Sequence, residues 1–451
     1  MKKYYKLFYI ALLSMAGYSC DSILEVDEES DPNNPSLNAL QSGASVEQIQ
    51  QLATGVLDGM RDGIFGYYRN AGTFGREVYN LQLTDNRAYD DLLGRSGDGT
   101  IDNATFLSGY WSSFSDMRKR AADFQQVASI STTISEEENS AVSGFCNTII
   151  AFAMLHNLNM QGENGIRIDV SDPFNPGPFV SYSDALAEIR RLNDLGASEL
   201  NNGGSSFPFA LSSGFDGFDT PAAFRQFNRA LAARIAIYQE DWSGAQTALN
   251  ESFLDLSGSL DIGPVHVYAA APDILNPFFD PPQSSASSII FAHESFVPEF
   301  EAGDTRIDKV RLRTMPRVLG QPAITGEYEL ATYESEISPV SIIRNEELIL
   351  ISAEVSIQLQ GDNSTDAVDA INIIRNAYGL ADYAGAIDRQ SLLNEMLNQK
   401  RFSLWFEGHR WVDMRRYNRL DELPLDDPGD TVFDRMPKPF NEVQWDLANG
   451  G

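Results

Sequence analysis

Lysine is scarce in this sequence of 451 residues: there are seven against 26 arginines, and three of the seven (Lys2, Lys3 and Lys6) fall within the first six positions. Basic residues together number 33 against 64 acidic ones, a net charge of −31. A nucleic-acid partner needs the opposite sign on at least one face, and no basic stripe is present, so no nucleic acid is expected. An acidic, lysine-poor surface keeps a chain soluble by repulsion and suits salty surroundings that screen it. Cysteine is nearly missing too, with Cys20 and Cys146 alone. The four histidines (His156, His266, His293, His409) are far apart and form no His-x-x-x-His pair. Neither zinc nor any other metal or cofactor is therefore expected. Acidic turns at 98–103 and 216–219 could supply calcium ligands, but such clusters arise by chance among 64 acids. Gly-x-Ser-x-Gly and P-loop motifs are lacking as well, which removes the usual signs of a nucleophile elbow or a phosphate cradle.

The N-terminus reads as charge followed by an uncharged run over residues 7–18. That run is short of the ~20 apolar residues of a membrane-spanning helix and fits a signal-peptide core, so residues 1–19 are expected to be removed. It ends at Gly17-Tyr18-Ser19-Cys20, which resembles a bacterial lipobox, although no leucine stands three positions before the cysteine. Cys20 is the expected lipidation site, which leaves Cys146 as a small buried hydrophobe. Residues 20–45 hold six acids, Pro32 and Pro35, and no basic residue, and form an expected tether that could reach ~80 Å when extended. No later stretch is expected to cross a membrane.

Helical periodicity governs much of the rest, expected as a single domain over 46–451. At 344–377, Leu348, Ile351, Val355 and Leu359 recur at offsets of three and four. After Gly361-Asp362-Asn363 the pattern resumes with Ala367, Ala370, Ile371 and Ile374. This helix-turn-helix unit, with small alanines where two helices meet, resembles a tetratricopeptide repeat of about 34 residues. A second unit spans 219–252 and a longer pair 110–160. Such repeats bury their apolar faces only by stacking, so the expected fold is mostly α, a tetratricopeptide-like helical scaffold with long irregular loops and a few short strands. Loop-rich segments at about 66–111 and 256–339 interrupt it, with strand-like pieces at 264–268 and 288–291. Irregular segments on a rigid frame commonly carry function.

The C-terminal third resembles a known family. Residues 339–354 (PVSIIRNEELILISAE), 370–380 (AINIIRNAYGL) and 398–416 (NQKRFSLWFEGHRWVDMRR) are similar to the signature of the SusD/RagB outer-membrane nutrient-binding lipoproteins. The most specific part is 406–416, which resembles that family's FEG-R-x-DLRR stretch with Met414 in place of the common leucine. Weaker similarity extends to the segment after Cys20, to 111–124, to 288–306 and to 436–449, where Lys438 stands in place of a usual isoleucine. The resemblance implies a SusD-like fold and a protein on the outer face of the outer membrane, held there by its lipid anchor only. It further implies binding rather than catalysis: an oligosaccharide or other nutrient is held for a partner TonB-dependent transporter.

The cluster of Glu407, His409, Arg410 and Asp413 invites a catalytic reading, but spacings of three on a helix suit ion pairs, with Phe406 and Trp411 filling core. Sugar binding needs aromatic platforms flanked by hydrogen-bonding side chains. The densest such constellation is Tyr67, Tyr68, Asp85, Asn86, Arg87, Tyr89 and Trp111, with Phe278 and Phe279 behind it. Two other functions stay open on the sequence: a lipid-anchored glycan hydrolase, and a repeat adaptor that contacts the transporter without a ligand.

Overall fold

A computed structural model describes residues 44–95, 101, 108–172 and 174–449. The signal segment, Cys20, almost all of the tether and the acidic turn at 98–103, apart from Ile101, lie outside the described residues.

Helix α1 (Val46–Asp62) begins with a capping box in which Ser45 and Gln48 satisfy each other's free amides. After Gly63 the chain forms α2 (Ile64–Phe74) and strand β1 (Val78–Gln82). Helices α3 (Gly109–Ile130) and α4 (Glu136–Gln161) make the first long pair. Another capping box, Ser135 with Glu138, starts α4, and Glu136, Glu137 and Glu138 lie at the positive end of its dipole. The short ribbon β2 (Ile166–Arg167) and β3 (Phe179–Val180) leads into α5 (Tyr182–Asn201), α6 (Pro221–Tyr238) and α7 (Trp242–Asn250). Thr220 caps α6 ahead of a proline in its first turn, and Asp241 caps α7.

A long excursion follows, with β4 (Val265–His266), β5 (Ser288–Ala292), β6 (Val310–Leu319), β7 (Ile324–Leu330) and β8 (Val340–Ser341). The chain then closes with α8 (Asn345–Gln360), α9 (Thr365–Ala377), α10 (Arg389–Ser403), α11 (Arg410–Arg416) and α12 (Phe440–Asn449).

The helices stack as a repeat scaffold. Helix α1 lies on α3, α3 on α4, α4 on α5, α5 on α6, α6 on α7, α7 on α8, and α8 on both α9 and α10. The mostly α, tetratricopeptide-like fold expected from periodicity is the fold observed. One expectation fails in an instructive way. Helix α4 and its extension are long and apolar enough to cross a membrane by length and composition, contrary to the reading that no such stretch follows the signal segment. The apolar window is almost wholly buried between α3, α5 and α6, and a helix covered on all sides must be apolar all round.

The two loop-rich segments form one structure. Strand β1 pairs antiparallel with β5, from Val78 opposite Ala292 to Gln82 opposite Ser288, and the sheet continues through β7 to β6. Val78, Ile290 and Ala292 face the main core, whereas Tyr79, Leu81, Ile289 and Phe291 join Tyr89, Leu93 and Ile324 in a small separate core. Both segments hold more regular structure than expected. Residues 66–74 are helical, and 310–330 is a hairpin whose alternation is broken by a bulge between Leu312 and Arg317.

Candidate functional site

The block at 406–416 is a buried clasp. Arg234 on α6 forms a paired contact with Glu347 on α8 at 2.6 Å, and the His409 ring lies 3.7 Å from the same carboxylate. Arg344 joins Glu346 at 2.8 Å and also holds Glu407. Asp413 accepts from Lys400 at 2.9 Å and from Arg416 at 3.0 Å, and Arg416 reaches on to Glu354. Phe406 and Trp411 are core residues. Burial pushes the His409 pKa well below its ordinary value, so the ring is neutral near pH 7 and enclosed. Ion pairs do fill this block, but not through Arg410 as the spacing of three predicts: Glu407 precedes the helix and takes Arg344, Asp413 takes Lys400 and Arg416, and Arg410 pairs with neither acid. Gly408, at φ +78°, completes the clasp: a Cβ there would stand 2.5 Å from the Tyr67 ring.

That contact bears on the nominated aromatics. Tyr67 is 3 % exposed, its hydroxyl accepts from Asn159 at 3.0 Å, and its ring packs edge-on against His156. Tyr68 is 4 % exposed and lies against Phe278 and Phe406. Phe278 is buried between Phe65, Tyr68 and Phe406, while Phe279 is half-buried. The rings of Tyr67, Tyr68 and Phe278 thus fill core and present no face on which a sugar could stack. The physical reason is that α2 wedges between α3 and the clasp, so its tyrosines point inward.

The remaining residues occupy two separate places. Beyond β1, Asp85 caps a short helical turn and accepts from the Arg87 amide at 3.1 Å and from its guanidinium at 2.6 Å, which together hold the Asp85 pKa below its ordinary value. Asn86 donates to Asp90 at 2.9 Å. Asp85, Asn86 and Arg87 keep solvent-accessible surface, but Tyr89 turns into the small sheet core, where its ring meets Gly320 of the β6–β7 turn.

Trp111 stands apart, in the first turn of α3. Its ring stacks on Phe179 at 6.0 Å and its indole N–H donates to Glu442 at 3.2 Å. Arg167 lies 4.7 Å over Phe179 and 4.9 Å over Trp445, and donates to Glu442 at 2.8 Å and to the Gly177 carbonyl at 2.6 Å. Lys438 covers the Phe179 ring at 4.2 Å. The beginning of α3, the β2–β3 ribbon and α12 are thereby bound into one aromatic and cationic patch. Beside Trp111 opens a hollow of about 220 Å³, into which Asn157 brings a buried Oδ1 that has no partner. This is below the roughly 300–1,000 Å³ of sites for drug-sized ligands and suits a single ring.

Sequence reasoning missed Arg167, Phe179 and Glu442, since each meets Trp111 only through long-range folding. Lys438 did leave a signal, as the departure from an otherwise usual isoleucine. Among the described residues no group of three or more His, Cys, Asp or Glu side chains converges to hold a metal ion.

The model of the SusD family matches residues 328–446, which cover the last repeat, the clasp and nearly all of α12. The chain thus carries a SusD family signature at its C-terminal end, on a SusD-like fold. Solved structures of SusD proteins share its fold over almost the whole length. Surface glycan-binding protein A from Bacteroides uniformis superposes with a TM-score of 0.68 at 15% identity, covering 90% of this chain and 98% of that one. A laminarin-binding SusD-like protein gives 0.62 at 16% identity, with 88% and 97% covered. A SusD superfamily protein from Bacteroides thetaiotaomicron gives 0.67 at 12% identity, with 89% and 98% covered. A comparison with the curated proteins finds no match. The matched stretch contains the clasp, whereas Trp111 and Asp85–Arg87 lie outside it.

Proposed function

We propose that this protein is a surface-exposed outer-membrane lipoprotein, anchored through Cys20, that binds a glycan and delivers it to a TonB-dependent transporter. The observation that carries this reading is the SusD signature at 328–446 on a SusD fold, a fold shared with a surface glycan-binding protein and a laminarin-binding protein. Trp111, with its hollow and the unpartnered Asn157 oxygen, supplies an aromatic platform and an acceptor. Asp85, Asn86 and Arg87 supply hydrogen-bonding groups at a second accessible place. The clasp adds no exposed acid–base pair that would favour cleavage.

Native gels cast with laminarin or other polysaccharides test the ligand. The wild type should be retarded in at least one gel, and Trp111→Ala should run faster in that gel. Mobility unchanged in every polysaccharide would refute glycan binding. Fractionation tests the anchor: the wild type should partition with outer membranes and Cys20→Ala should appear in the soluble fraction. A membrane-bound Cys20→Ala would refute lipidation at that position.

A further inference from the structure

A further cavity opens away from Trp111 and from the clasp. It is a cleft of about 810 Å³ between α1, the loop at 210–215 and the segment 265–273, within the size range of small-molecule sites. Leu57, Leu211, Val267 and Pro272 give it an apolar wall. Asp58, Arg61 and Asp273 share the lining. The Arg61 guanidinium donates to the Val267 carbonyl at 2.7 Å, pairs with Asp273 at 2.9 Å and also contacts Asp58. Its charge is therefore neutralised within the cleft, where two carboxylates face one cation. In a chain of net charge −31, such a lining repels anions.

His266 lines the cleft at 3 % exposure, and the ring of Tyr268, just behind the lining, lies 5.8 Å from the Arg61 guanidinium. Hydroxyl acceptors interleaved with an apolar lining match the mixed polar and C–H surface of a sugar ring.

We propose that this cleft is a second carbohydrate site, taking a short neutral oligosaccharide. Asp58 and Asp273 bond its hydroxyls, and Leu57, Leu211 and Pro272 cover its C–H surface. The ligand class rests on the glycan-binding reading above, whereas the location rests on the cleft.

Gly55 provides the test, because it lines the cleft and a Cβ at that position meets nothing within 4 Å. Gly55→Leu should fill the cleft without disturbing the core, and replacing a helix-interior glycine favours folding. Calorimetric titration of the full chain in detergent would use maltotriose, cellotriose, laminaritriose, mannotriose and xylotriose, with trigalacturonate and spermidine as charged probes. At least one neutral trisaccharide should bind, and Gly55→Leu and Asp58→Asn should each weaken it at least tenfold at unchanged melting temperature. If neutral sugars bind equally well to Gly55→Leu, the second site is wrong and glycan binding stands. If no neutral trisaccharide binds but polysaccharides retard the protein in gels, the second site again fails alone. If neither is seen, both readings fall. A Gly55-dependent response confined to trigalacturonate or spermidine would overturn the neutral-sugar assignment.

Discussion

Glu77 lies buried beside the clasp, where its backbone carbonyl accepts from the Trp405 indole at 3.1 Å. Burial raises its pKa from an ordinary 4.5 to about 8, against the pull of Arg410. The folded protein therefore holds a proton there that the unfolded chain has lost between those pH values. The stabilisation is complete below about 4.5 and disappears as the pH climbs through about 8. Buried His156 and His266 act oppositely: their pKa values fall to about 3, so their contribution grows from about pH 3 to 6.5 and is constant above. Between pH 6.5 and 8 the Glu77 slope should stand clear of theirs. Chemical denaturation across that window should show wild-type stability declining with pH and Glu77→Gln showing a flatter profile. An identical decline in Glu77→Gln would remove Glu77 as its source.

Glu347 offers a second test at the same scale. It is 3 % exposed and neutralises Arg234, so Glu347→Ala strands a buried guanidinium and should lower unfolding free energy by about 3–5 kcal/mol, as measured in urea. A loss within the scatter of surface substitutions would contradict the clasp. That the acids at 407 and 413 form ion pairs was readable from the sequence, but the helical spacing pointed to Arg410, which pairs with neither. The pairing of Arg234 with Glu347 was not readable, since the two come from different repeats and meet only when the repeats stack.

Among elements, the helices announced themselves unevenly. The pairs α3–α4, α6–α7 and α8–α9 were visible because apolar residues recur at three and four. The signals for α1, Ser45 with Gln48 as a capping box and Ile49, Ala53, Val56 and Met60 along one face, are also present in the sequence but adjoin the acidic tether. The four-stranded sheet was not legible. Its β1–β5 pairing joins segments some two hundred positions apart, and the bulge in β6 erases the period-two alternation of an ordinary strand. The inward turn of α2 was hidden for a related reason: a tyrosine is as much at home in a core as on a binding face until its neighbours are known. Helix α12 behaves as a latch over Trp111. Glu442 holds both the Trp111 indole and Arg167, and Asp446 holds Arg167 as well. The double substitution Glu442→Gln with Asp446→Asn should loosen the latch, shift Trp fluorescence to longer wavelength and lower the melting temperature. An unchanged emission maximum would show that α12 does not cover the indole.

On the scale of the whole molecule, the repeats serve as a frame whose two interruptions, at 75–95 and 251–344, converge in a single sheet. The half-buried Trp111 and the solvent-accessible Asp85–Arg87 are carried by segments that leave the frame or start it anew. The ionic contacts of the clasp are enclosed and structural. The acidic exterior adds a condition: neutral glycans should bind with little dependence on salt, because no charge on the ligand is there to be screened.

The most direct measurement of the central claim is to incubate the purified protein with laminari-oligosaccharides and other neutral glycans, determine binding by calorimetry, and analyse the recovered sugars by chromatography. The account predicts saturable binding of at least one glycan with its chain length unchanged after prolonged incubation. Shortened products that accumulate with time and protein concentration would contradict it.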